Sequence, residues 1–159
     1  YLASWIFKEA RMGTGWKQGL FTPKHPEKYK GDLSNIQFRS SWELEAFEFC
    51  DNNPKVKVWS SEEIVIPYAM PMANGGVRKA RYFPDLYMEY ENVHGKIVRD
   101  LIEIKPFKQT KVSRSRNPKT KMYENAVHMK NQLKWEAARA WCSQNGMNFR
   151  LLTEKEQFK

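Results

Sequence analysis

The stretch from Arg81 to Lys105, RYFPDLYMEYENVHGKIVRDLIEIK, constrains the fold more than any other part of this chain. Two runs rich in Tyr, Leu, Ile and Val flank Asn92–Lys96, where Gly95 supplies a turn, so the pattern predicts an antiparallel β-hairpin. Side chains alternate across a strand, which puts Leu101, Glu103 and Lys105 on one face and Ile102 and Ile104 on the other. The isoleucines can be core. Glu103 and Lys105 must then project into something other than hydrocarbon, because an unpaired buried charge is costly enough to shift its pKa or to find a partner. Antiparallel pairing brings Asp85, near the start of the first strand, beside Glu103 on the second. A polar cleft with convergent acids is the expectation.

The rest of the chain supplies what surrounds the hairpin. With 159 residues, 41% hydrophobic and 14% aromatic, there is enough apolar material for one core, expected over residues 36–159. Met12–Asn35 mixes Gly, Pro and Lys with isolated aromatics, so residues 1–35 read as a basic N-terminal arm or extension that orders on a partner. A helix is predicted at SSWELEAFEFCDNN, with Trp42, Ala46, Phe49 and Cys50 at helical spacing. VKVW and EIVIPY read as short strands, the second buried at Ile64, Val65 and Ile66. After the hairpin, Pro106–Lys121 is polar, basic and too long for an ordinary connection. A long helix is predicted from Lys121 to Gln144 on the stripe Met122, Ala126, Met129, Leu133, Ala137 and Trp141, stopped by Gly146, with NFRLL as a last strand. This order gives an α/β fold: a mixed β-sheet flanked by helices.

Lys and Arg number 27 against 18 acids, a formal net charge of +9, which attracts polyanions and makes nucleic acid the leading partner. A basic surface is also common on proteins that bind nothing in particular. Cys50 and Cys142 lie far apart with no CxxC pair, so neither a disulfide framework nor a zinc site is indicated and a reducing compartment fits. No stretch approaches the roughly 18 apolar residues of a membrane span, so no membrane partner is expected. The chain begins with Tyr, which leaves an upstream segment open. His25, His94 and His128 show no ligand spacing.

Convergent carboxylates repel unless a cation lies between them. Hard oxygen ligands with open positions suit Mg²⁺, with Mn²⁺ as a substitute, better than zinc, and the main-chain carbonyl of Ile104 offers a further oxygen. Such an ion can polarise a phosphate and generate a hydroxide nucleophile, while Lys105 can orient or help deprotonate the attacking water and offset developing charge: phosphodiester hydrolysis. The alternative is that Glu103 and Lys105 form a same-face ion pair and that Asp85 caps a turn after Pro84.

Pro84-Asp85 and Glu103-Ile104-Lys105 together resemble the PD-(D/E)xK nuclease superfamily. NIQFRSSWELEAFEFCD, VWSSEEIVIPY, RYFPDLYMEY, LIEIKPFKQT and WEAARAWCSQNGMNFRLLTE extend the resemblance to the head-completion nucleases of contractile-tailed phages, over about residues 28–156. The endonuclease subunit of certain cut-and-paste transposition systems is more distantly similar and has Gln where Glu103 stands. The resemblance implies a restriction-endonuclease-like fold and a metal-dependent DNA endonuclease that nicks or trims DNA during head completion. It implies phage head, portal or terminase components as partners, and the infected host cytoplasm or the virion as location. It also implies a further metal-binding acid on the helix before the sheet, at Glu43. Ser40 and Glu43 equally read as a capping box, so ligand and cap stay open. Glu62 and Glu63 either line the same cleft or are solvated. For DNA, the candidate contacts are Arg39, Arg81, Lys108, Lys111, Arg114, Arg116 and Lys134, against the alternative of a solvated charge run. Trp16, Tyr29, Phe38 and Tyr82 stack on bases or pack. A non-catalytic DNA-binding head protein that keeps the fold, and a general basic nucleic-acid module, are the competing readings.

Overall fold

In the computed structural model, which describes residues 18–153, the chain runs β1 (Gly19–Leu20), β2 (Gln37–Phe38), α1 (Ser41–Asn52), β3 (Val56–Ser60) and β4 (Ile66–Pro71). It continues through β5 (Val77–Tyr82), β6 (Leu86–Glu91), β7 (Ile97–Ile104), α2 (Pro118–Gln144) and β8 (Asn148–Leu152). Local chemistry sets the turning points. At the β6–β7 turn, Asn92 Oδ1 accepts the N–H groups of His94 at 2.9 Å and Lys96 at 3.0 Å, and Gly95 takes φ +74°. Ser40 caps α1 by accepting the Glu43 N–H at 3.2 Å, and Asn117 caps α2 by accepting those of Lys119 and Thr120.

A four-stranded sheet in the order β3-β6-β7-β8 forms the centre, antiparallel except for the parallel pair β7–β8, so it is mixed as expected. Both faces are covered. Ile102, Ile104, Leu86 and Met88 pack with Ala46, Phe47 and Cys50 of α1 and with Trp59. On the opposite face Leu101 and Tyr87 pack with Trp135, Ala138 and Cys142 of α2, and with Ile66 and Tyr82 from the separate β4–β5 hairpin. The alternation read from LIEI is therefore the partition of the core.

Four expectations are corrected. Residues 18–35 of the expected arm, although mostly exposed, are anchored to the core without a partner: Phe21 meets Phe47 and Trp59 edge-on, each at 5.8 Å, and Tyr29 is buried 4.7 Å from Trp59. Their rings dock one by one, which needs no sequence period; residues 1–17 lie outside the described residues. RYFPDLYMEYE is two strands, because Pro84 lacks an N–H and the chain leaves the ladder at Phe83–Asp85. Val65 is 40% exposed and precedes β4. On α2 the buried residues are Asn131, Trp135, Ala138 and Cys142, whereas Met122 and Met129 are 73% and 60% exposed. The N-terminal half of the helix runs past the core, so its methionines face outward. Among the described residues no helix is long and apolar enough to cross a membrane.

Candidate active site

Leu86 pairs with Ile102, so Asp85, one residue earlier, stands level with Glu103 at the end of the hairpin. Asp85 Oδ2 accepts the Ile104 N–H at 2.7 Å, which fixes the carboxylate on the strand that carries Glu103. Burial pushes the Asp85 carboxyl well above its ordinary pKa, and the charge of Glu103 pushes it further; the Ile104 hydrogen bond acts the other way and is outweighed.

Glu103 is buried and held from two sides. The Tyr82 hydroxyl donates to Oε2 at 2.6 Å, and Lys105 Nζ lies 3.5 Å from Oε1. Burial and the neighbouring Glu103 raise the Tyr82 pKa, so this phenol stays a donor. Lys134 reaches in from α2 with Nζ 5.5 Å from the centroid of the Tyr82 ring. Its pKa is lowered by burial and by Lys130, while Glu103 and Asp85 pull it back up. Two carboxylates and two ammonium groups thus share one cleft.

Glu43 is the third position of α1, and its Oε2 accepts the Arg39 N–H. The reach is one residue beyond the N-cap that the capping-box reading expects, and it closes the same turn. Burial raises the Glu43 pKa; Arg39 opposes the rise, while Glu62 and Glu103 add to it, so Glu43 shares the electrostatic field of the cleft. Arg39 in turn pairs with Glu62. Glu62 sits at φ +55°, a left-handed conformation uncommon for a side chain of this kind. Glu63 Oε1 accepts the Tyr29 hydroxyl and the Asp32 N–H, each at 3.0 Å.

The remaining predicted DNA contacts lie outside this cluster. Arg81 is exposed on β5, 5.7 Å from the Phe83 ring, and Lys111 lies 5.2 Å over Phe107. Lys108, Arg114 and Arg116 are exposed along the segment between β7 and α2. That segment is fastened to α2, since Ser113 N–H donates to Asn125 Oδ1 at 3.1 Å and its hydroxyl to Glu124 Oε2 at 2.6 Å. Of the aromatics, Tyr29, Phe38 and Tyr82 pack against the core, and Trp16 is outside the described residues.

Among the described residues no three His, Cys, Asp or Glu side chains form a group that could hold a metal ion by themselves. Asp85 and Glu103 nevertheless fit Mg²⁺. That ion is commonly held by one or two carboxylates plus water and substrate phosphate, and a crowded, desolvated pair of hard oxygen donors is what a cation relieves. Sequence reasoning missed the Tyr82 hydroxyl on Glu103 and the Glu62 clamp on Arg39.

Residues 53–154 match the model of a family described as TnsA-like endonuclease N terminal. The chain is also 37% identical over 142 residues to the head completion nuclease of Enterobacteria phage T4, across 86% of this chain and 90% of that protein. No solved structure matches.

Proposed function

Since the chain belongs to the TnsA-like endonuclease family, we propose that it is a Mg²⁺-dependent DNA endonuclease that nicks or trims DNA during phage head completion. The observation that carries this is the convergence of Asp85 and Glu103, with Lys105 Nζ 3.5 Å from Glu103. The restriction-endonuclease-like α/β fold and the relation to a phage head completion nuclease agree with it. Asp85, Glu103, the Ile104 carbonyl and Glu43 are the proposed ligands. Glu43 forms no three-carboxylate group with them as it stands, and its Oε2 already accepts the Arg39 N–H, so its part as a ligand is decided by the Glu43→Gln variant below.

A bound divalent cation would supply Lewis acidity toward the scissile phosphate and lower the pKa of water. The protein's own groups do the rest. Lys105 orients the attacking water and offsets charge developing on phosphate, and Lys134 adds a second cation on the facing helix. Tyr82 keeps Glu103 in one rotamer by donating to Oε2, and the Ile104 N–H does the same for Asp85. Lys108, Lys111, Arg114, Arg116, Arg81 and Arg39 contact the DNA backbone, which gives affinity with little sequence preference. Phage head, portal or terminase components are the proposed protein partners, and the infected host cytoplasm or the virion the location.

The test is cleavage of supercoiled and linear DNA with Mg²⁺, Mn²⁺ or EDTA, using folded Asp85→Ala, Glu103→Ala and Lys105→Ala. Activity with metal, none in EDTA, and a loss of about a hundredfold or more in each variant are expected. Glu43→Gln keeps an oxygen for the Arg39 N–H while removing the charge, so lost cleavage at unchanged stability identifies the ligand. A protein that binds DNA and never cleaves it would be the non-catalytic head protein instead.

A further inference from the structure

Near Asp85 lies a polar cavity of about 470 Å³, lined by Phe83, Asn35, Gln37, Arg39 and the carboxylates Asp32, Glu62 and Glu63, with Ser61. Of this lining the hydrolysis just described uses only Arg39, as a backbone contact. It adjoins the reacting groups in two ways. Phe83 is two residues before Asp85, so their Cα atoms are at most about 7.6 Å apart. Arg39 and Glu62, on its wall, both act electrostatically on Glu43, and Arg39 also feels Asp85.

The lining is unsuited to phosphate. Glu62 and Glu63 repel an anion, although Arg39 is paired to Glu62. It suits the flat, polar-edged body of a base. Phe83 is 41% exposed, unlike Tyr82 on one side of it and Pro84 on the other, which are buried, and its ring forms part of the cavity wall with the Arg81 guanidinium over it. Asn35 and Gln37 offer amides that both donate and accept, and the carboxylates accept from exocyclic amino groups. Arg81, 5.7 Å from the Phe83 ring, supplies a cation at the same place for the flanking backbone.

We propose that this cavity receives one unstacked nucleobase of the DNA, with Phe83 as its stacking platform, so that the preferred substrate carries an unpaired nucleotide close to the scissile phosphate. This deepens the endonuclease reading and rests on it. A base inside a duplex must be extruded at a cost of unpairing, whereas one at a bulge, gap or frayed end enters without that cost. Adenine and cytosine, which bring an amino group to the carboxylates, bind better than thymine, which brings two carbonyls.

The experiment measures binding of the full chain, in EDTA, to two duplexes that differ by a single unpaired nucleotide, with 2-aminopurine at that position as a fluorescent reporter. The wild type is expected to bind the bulged duplex more tightly and to quench the reporter. Phe83→Ala loses about five- to a hundredfold in affinity for the bulged duplex and loses the quenching, while its affinity for the paired duplex is unchanged; Phe83→Trp retains both. Equal binding of the two duplexes by the wild type, an unquenched reporter, or a Phe83→Ala defect equal on both duplexes overturns the proposal. Cleavage failing with every metal would sink the endonuclease reading on its own and leave this binding comparison intact.

Discussion

Asp85 is subject to opposed demands: the Ile104 N–H favours its ionised form, while burial and Glu103 favour the protonated one, and the latter prevail. Its folded pKa therefore lies above that of the unfolded chain, about 3.9 for an ordinary Asp. Between those two values the folded protein binds more protons than the unfolded one, so stability falls as pH rises through that window. The contribution is fully present below the unfolded pKa and is lost by the folded one. Asp85→Asn removes this dependence and can keep the acceptor for Ile104. In EDTA, urea denaturation at several pH values from 4 to 8 should show the wild type losing stability relative to Asp85→Asn as pH rises. Glu43, also raised by burial, contributes a slope of the same sign to both proteins. Added Mg²⁺ should stabilise the wild type and much less the variant. Parallel pH profiles would show that Asp85 is not the strained acid.

Helix α1 depends on a segment that reads as a loop. Lys28 Nζ donates to the carbonyls of Cys50, Asp51 and Asn53 at 2.6, 3.0 and 2.8 Å, satisfying the C-terminal end of the helix. Asp51 accepts the N–H groups of Lys24 and His25 in return. Lys28→Ala should cost about 2 kcal/mol in denaturant unfolding, as charged hydrogen bonds to buried carbonyls are lost; a cost within a few tenths would mean that the segment is merely laid on the surface. This clamp was not legible, since a lysine in a Gly- and Pro-containing stretch looks solvated until the helix end it serves is known. The hairpin was legible because its signal is local: strand alternation, an Asn-to-Gly turn, and an acid level with Glu103 all follow from period and register. Reading Arg81–Glu91 as one strand hid Tyr82, which that register would have set opposite Pro106. The break at Pro84 frees it to reach Glu103 instead. VRKARY escaped as a strand because most of its side chains face solvent, so it carries no apolar period. The Arg39–Glu62 pair joins residues that only the assembled fold brings together.

Over the whole molecule a net charge of +9 coexists with a cleft that concentrates carboxylates. The excess cations belong elsewhere, and Lys108, Lys111, Arg114 and Arg116 line the exposed segment after β7, which Ser113 ties to α2. Anchoring matters here, because a tethered charge contacts phosphate at less entropic cost than one on a free loop. Each phosphate neutralised releases condensed counterions, so the logarithm of affinity falls against the logarithm of salt with a slope near 0.9 per contact on duplex DNA. Replacing Arg114 and Arg116 together by Gln should flatten the slope by up to about two and weaken binding alike on every sequence. Phe83→Ala should do the opposite: reduce affinity for a duplex with an unpaired nucleotide and leave the slope alone, because a stacked base releases no counterions. Titrations from 50 to 300 mM salt on both duplexes separate the two contributions. An unchanged slope in the double Arg variant would make the segment after β7 a solvated charge run, and would leave the backbone contacts to Arg39, Arg81 and Lys134.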